Sequence, residues 1–168
     1  MNDHEMRLRM FIKGEGLEER SMREVLTRVV KQEHGDIKAI AAAAELQNAP
    51  ERFSDLIFED HVTSLYELSW PPGDPGTEIH DHGESTGAVY IVRGTVKETF
   101  WANNFKVVRY WREGQVILIP KNYIHKFEDG SNGTEACSLH LYEPPLKHMN
   151  FYQDMGNGLL VPSGQWDE

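Results

Sequence analysis

Two groups of side chains in this sequence have the types and spacing to do chemistry together. The first is His80-Asp81-His82 with His125. On an extended strand, residues two apart project from the same face, so both imidazoles of the pair can reach one point while Asp81 faces away. His125 follows Pro120-Lys121-Asn122-Tyr123-Ile124, on a strand able to bring it across a barrel. Three imidazoles leave coordination positions open, as a catalytic metal requires. The short HxH element alone reads equally well as unrelated surface histidines. The second group is Ser138, His140 and Tyr142, which alternate along one strand and so share a face. A buried row of hydroxyl, imidazole and phenol has to be hydrogen-bonded internally. Tyr142 can then donate to a bound reactant while His140 fixes its orientation. Without a metal beside it, the row reads as a satisfied polar ladder.

The elements that position these residues have a clear texture. From about residue 53, short apolar runs alternate with turn residues. Strands are expected at Val62–Trp70, Ala88–Val92, Thr95–Trp101, Lys106–Trp111, Gln115–Ile119, Ile124–Glu128 and Ala136–Tyr142. Between them lie Pro71-Pro72-Gly73-Asp74-Pro75-Gly76, Arg93-Gly94, Asn103-Asn104, Glu113-Gly114 and Asp129-Gly130-Ser131-Asn132-Gly133. Regular short strands with such turns indicate a sandwich or barrel. Residues 1–50 read as helical: Ser21-Met22-Arg23-Glu24 fits a capping box, and Val25, Leu26, Val29 and Val30 recur at helical spacing. Gly35 ends this helix and Asp36 caps a second, closed by Pro50. The expectation is one domain over 1–168: a helical pair over 1–50 against the outside of a barrel over 53–145, with a surface wrap over 146–168.

Composition bounds the function. An apolar fraction of 39% over 168 residues suits one folded core. A formal net charge of -10 argues against a nucleic-acid partner, which calls for a basic field. No apolar run is long enough to span a membrane, and Met1-Asn2-Asp3-His4-Glu5 does not open a signal peptide. A lone cysteine, Cys137, excludes an intrachain disulfide and, with no export signal, points to the cytoplasm. Trp70, Trp101, Trp111 and Tyr90 read as core or wall residues. His4, His34, His61 and His148 have no partner at ligand spacing.

The spacing of the histidines resembles the two signature motifs of the cupin family. The first motif, a glycine, HxH, a glutamate and a glycine, is matched by Gly73, His80, His82 and Gly94, with Gly87 where the glutamate stands. Gly73 lies one residue early. The second is matched by Gly114, Pro120 and His125, with Asn122 and Asp129 at its last two positions. The resemblance covers residues 73–129 and implies a mainly β, jelly-roll-like cupin barrel holding a metal with His80, His82 and His125. Glu84 falls in a loop, off the motif's ligand position. A ligand set of three neutral histidines leaves a divalent ion its full charge, which favours an anionic substrate such as a thiolate and departs from the two-histidine, one-carboxylate pattern.

A closer resemblance follows from residues 80–145. Ile79-His80-Asp81-His82, Gly94-Thr95-Val96-Lys97-Glu98-Thr99 and above all Ser138-Leu139-His140-Leu141-Tyr142-Glu143-Pro144-Pro145 are similar to segments of cysteine dioxygenases. The resemblance implies an iron(II)-dependent thiol dioxygenase that puts both atoms of dioxygen on the sulfur of a small thiol, cysteine or a related mercapto acid, giving a sulfinic acid. It also implies that Ser138, His140 and Tyr142 form a hydrogen-bonded chain beside the iron. Animal members cross-link the tyrosine to a cysteine; here that position is Gly87, as is usual in bacterial relatives, and Cys137 points to the opposite face. The arginine that binds the substrate carboxylate in the family aligns with Ser54. Arg52 shares a face with position 54 if the segment is extended, and its guanidinium suits a carboxylate; a solvated surface arginine is the alternative. Arg109 is a second candidate for an anion. Other readings of the same scaffold are a cupin isomerase or hydrolase on another metal, a biosynthetic cysteine-oxidising oxygenase, and a non-catalytic metal- or ligand-sensing cupin.

Overall fold

The computed structural model describes residues 52–59, 61–102, 105–130 and 133–168. The expected helical pair over 1–50 lies outside the described residues. Within them the chain forms β1 (Phe53–Glu59), β2 (Ser64–Trp70), β3 (Ile79–His80), β4 (Thr86–Arg93), β5 (Thr95–Ala102), β6 (Phe105–Arg112), β7 (Val116–Ile119), β8 (Ile124–Asp129), β9 (Ala136–Glu143), β10 (His148–Asp154) and β11 (Leu160–Asp167). One sheet has the order β1-β2-β9-β4-β7 and the other β11-β10-β3-β8-β5-β6. Every pairing is antiparallel.

The seven strands expected from the sequence all form, within two residues of the expected bounds. The tail, expected as a surface wrap, forms strands: β10 and β11 pair with each other, and β10 pairs with β3. Its Pro, Gly and polar residues obscured this because β11 is a sheet edge whose side chains are mostly exposed, where Pro162 removes no interior ladder bond. β1, which the turn-to-turn pattern did not mark, also lies at an edge.

Period-2 alternation decides what faces the interior. Along β9, Ser138, His140 and Tyr142 sit on one face and Cys137, Leu139 and Leu141 on the other, and all six are buried. The strand is central, between β2 and β4, so both of its faces are covered. The two sheets meet through Phe127 of β8, whose ring lies edge-on to Trp70 of β2 at 6.0 Å and to His140 of β9 at 5.7 Å. Trp70, Val89, Ile91, Val96, Ile117, Ile119, Phe127 and Ala136 form the apolar core. Each of its larger side chains contributes roughly 1.5–3 kcal/mol by leaving water. At the β4–β5 turn, Gly94 has φ +75°, and a Cβ there would stand 2.8 Å from Ala136 Cα, so only glycine lets this turn close on β9.

Candidate metal centre and active site

His80 and His125 face each other as a directly paired register position of β3 and β8. His82 lies beyond the end of β3, in the loop that leads to β4. The expected strand thus carries only one histidine of the pair. The same-side placement survives because Asp81 is tied down on the opposite side. Its carboxylate accepts from Gly83 N at 2.9 Å, Asn150 Nδ2 at 3.0 Å and the Tyr152 hydroxyl at 2.7 Å. β10 therefore does the positioning that a longer β3 would have done.

The three imidazoles converge. Ring centroids are 4.8, 4.9 and 5.1 Å apart, and one nitrogen from each lies within 4.8 Å of the other two. His80 Nδ1 donates to the carbonyl of Glu78 at 2.7 Å, and His125 Nδ1 donates to Glu98 Oε1 at 2.9 Å. Both bonds leave Nε2 as a lone pair aimed inward. His80 Nε2 stands 3.2 Å from His82 Nε2, and His125 Nε2 is buried with no hydrogen-bond partner. Buried nitrogen lone pairs facing one another repel unless a proton or a cation lies between them. Burial makes the proton costly: it lowers His80 to about 3, assisted by His125, and holds His82 well below its usual range. The donor set therefore fits a divalent cation, with Nε2 as the ligand atom of His80 and His125.

Beside this cluster runs the polar row of β9, which Trp70 of β2 extends by one donor. Trp70 Nε1 lies 2.9 Å from Ser138 Oγ, Ser138 Oγ 2.8 Å from His140 Nε2, and His140 Nδ1 3.2 Å from the Tyr142 hydroxyl. The indole N–H only donates. Ser138 therefore accepts from Trp70 and donates a hydrogen bond to His140 Nε2. Burial, then the nearby His125 and His80, lowers His140 to about 3 and keeps it neutral, so its one ring proton sits on Nδ1 and is donated to Tyr142. The Tyr142 proton is left free to point outward, beside His82 Nε2 at 3.4 Å. Burial raises the Tyr142 pKa, so the phenol stays protonated. Gly87 pairs with Tyr142 across β4 and β9. A Cβ at Gly87 would stand 3.1 Å from the tyrosine ring, so the glycine gives the ring its room.

His80, His140 and Tyr142 open on a cavity of about 330 Å³, with Arg52, Ser54 and Phe127 also in its lining. Arg52 is exposed, carries its guanidinium 5.8 Å above the Trp70 ring, and reaches Asp74 Oδ1 at 3.3 Å. Arg109 instead stacks over Phe100 at 4.8 Å and is absent from that lining. His148 and His61 line a separate space with Asp81 and His82. Glu84 is bound by Lys121. Cys137 is buried on the far face of β9, where its thiol donates to Glu67 Oε1 at 3.4 Å.

Two contributors escaped the sequence reading. By type and spacing Trp70 reads only as core, and Glu98 only as part of a similar segment. A signal existed for Glu98: it alternates with Val96 and Phe100 on the inward face of β5, where a carboxylate needs partners.

Comparison with known proteins agrees with this geometry. The family model for cysteine dioxygenase type I matches residues 59–155, a span that holds the three histidines and the whole β9 row. Cysteine dioxygenase type 1 of Bos taurus is 36% identical over 92 residues, 49% of this chain and 46% of that protein. The Danio rerio protein is 31% identical over 116 residues, 62% of this chain and 57% of its own length. The chain thus spans about half the length of the curated relatives it matches. A solved RmlC-like cupin with a double-stranded β-helix fold from Methanocaldococcus jannaschii superposes with TM-score 0.50 at 14% identity, over 58% of this chain and 84% of that one, which bears on the fold alone. With the cupin barrel, the histidine cluster and the β9 row in hand, the match over more than half of the sequence places this chain in the cysteine dioxygenase type I family.

Proposed function

We propose that this protein is an iron(II)-dependent thiol dioxygenase acting on a small thiol acid, cysteine or a related mercapto acid, and that His80, His82 and His125 hold the iron. The observation that carries this reading is the position of the Tyr142 hydroxyl, 3.4 Å from His82 Nε2, at the end of a chain of donors that all point toward the histidine cluster. In the overall reaction the thiol R–SH and dioxygen combine to R–SO₂H, with both oxygen atoms bonded to sulfur and the proton retained in the sulfinic acid. Ferrous iron, when bound, supplies the one-electron chemistry that lets ground-state dioxygen react with a thiolate.

The protein's own residues bind, orient and hold protons. Three neutral imidazoles add no negative charge around the cation, so the site attracts a thiolate. Tyr142 offers its proton toward the reacting atoms, and Trp70, Ser138 and His140 keep that proton pointing outward. Leu68, Phe127 and Phe151 line the cavity and limit the water that competes for the site. Arg52 is the group in the lining suited to a carboxylate. A substrate acid would take over the guanidinium from Asp74, an exchange of one charge-assisted bond for another.

The test is oxygen uptake by anaerobically iron-loaded protein given cysteine, 3-mercaptopropionate, cysteamine or mercaptosuccinate, with the product followed by mass spectrometry. Uptake matched by a sulfinate product is expected for the thiols that carry a carboxylate. Arg52→Ala should raise KM for those thiols far more than it lowers kcat. Absence of uptake with every thiol, despite one bound iron per chain, would overturn the reading.

A further inference from the structure

Glu98 of β5 has no exposed surface, and three groups converge on its carboxylate. His125 Nδ1 donates to Oε1 at 2.9 Å, Trp111 Nε1 donates to Oε2 at 2.7 Å, and the Tyr123 hydroxyl donates to the same group. All three are donors, so the carboxylate is surrounded as an acceptor on both oxygens. The strand register explains the meeting. Phe100 stands opposite His125 on β8, Glu98 opposite Phe127, and Trp111 of β6 opposite Val96, which leaves Glu98 diagonal to His125 on one inward face.

We propose that Glu98 is a positioning residue of the metal centre: it holds His125 with the ring proton on Nδ1 and supplies, one hydrogen bond away from the ion, the negative charge that the cupin pattern places at position 87. That position is Gly87, next to Tyr142, where a side chain would press on the tyrosine ring. Glu98 lies on the other sheet, on the far side of His125, and leaves that space clear. A carboxylate behind a ligating imidazole fixes its orientation and makes its free nitrogen a better donor. Because the charge stays outside the ligand set, the open coordination positions remain available. The Trp111 and Tyr123 donors in turn fix which way the carboxylate faces.

This inference rests on the reading of His125 as a metal ligand, and it does not depend on the identity of the thiol or on turnover. The first measurement is made on metal-free wild-type protein. Nitrogen-15 NMR of the histidine rings, with His125 assigned by loss of its signals in His125→Asn, should show a single Nδ1–H tautomer. An Nε2–H tautomer at His125 would overturn the proposal by itself, whether or not any variant folds. The second is Glu98→Gln, which keeps the shape and removes the charge. Competition with a chelator should show weaker binding of both Fe(II) and Zn(II), by roughly 10- to 100-fold, and the potential of the bound iron couple should move positive. A folded Glu98→Gln protein with wild-type affinity for both ions and an unchanged potential sinks the idea. Wild-type protein that oxidises no thiol yet shows the tautomer, with zinc binding weakened in Glu98→Gln, would refute the dioxygenase reading and leave this one standing.

Discussion

Tyr142 and Trp70 stand at the two ends of one hydrogen-bonded chain, and the chain has a direction because the indole can only donate. In the proposed reaction its role is orientation, which separate substitutions at the two ends should expose. Tyr142→Phe removes the outward proton itself and should retain iron while slowing sulfinate formation by roughly 10²–10⁴-fold, the usual worth of a positioned proton donor. Trp70→Phe leaves that proton in place and frees Ser138 to reverse. It should lower turnover by a smaller factor and cost about 1–3 kcal/mol of stability, because the Ser138 hydroxyl loses a buried partner. Bound iron, product yield per oxygen consumed and urea unfolding together check both. Equal rates for wild type and Tyr142→Phe would make the row structural only.

At the scale of elements, the hairpin of β10 and β11 anchors the loop that presents His82. Asn150 and Tyr152 of β10 hold Asp81, and His148 at the start of β10 pairs with Asp167 at the end of β11. The bond to Asp167, then that to Asn150, raises the pKa of His148, and the same pairing lowers that of Asp167. The signs define a window. The His148 contribution is complete below its unfolded pKa of about 6.5 and fades as pH rises through the raised value. The Asp167 contribution is complete above its unfolded pKa of about 3.9 and fades as pH falls. The rung is strongest between those limits. Amide hydrogen exchange, corrected for the intrinsic pH dependence, should show the strand ends at His148 and Asp167 better protected at pH 6 than at pH 9. In His148→Gln that difference should vanish. Asp167 is exposed and His148 only half-buried, so the effect on global stability is small.

At the largest scale, the described residues hold a cluster of buried histidines between two sheets, and this bears on the response to acid and to metal. His80 and His140 are lowered to about 3 in the folded state, chiefly by burial. Their unfolded value is about 6.5, so the unfolded chain binds more protons anywhere between those limits. Metal-free protein should be fully stable in this respect above pH 6.5 and lose stability steadily as pH falls toward 3. Divalent metal competes with those protons. At a free concentration of about 100 times its Kd it adds about 2.7 kcal/mol, and it should flatten the acid limb until the ligands protonate. Thermal unfolding across pH, with and without a chelator, measures both effects. An unchanged melting temperature after complete metal removal and re-addition would contradict the assigned ligands.

Local pattern made much of this protein legible. Two-residue spacing in Ser138-Leu139-His140-Leu141-Tyr142 placed the candidate side chains on a common face, because side-chain direction along an extended chain depends only on neighbouring residues. Turn residues marked seven of the strands for the same reason, the edge strands β6 and β7 among them. β1 and the β10–β11 hairpin were not legible: Pro, Gly and polar residues break the alternation of the tail, and only pairing with a neighbour makes these segments strands. Tertiary structure alone decided that His82 leaves the strand yet keeps its side, since Asp81 is held by Asn150 and Tyr152 from far along the chain. It also decided that Trp70 gives the Tyr142 chain its direction and that Glu98 backs His125. Those bonds join β2 to β9 and β5 to β8. Hydrogen bonds across strands depend on register, which is set by the packing of the whole sheet and not by any one segment.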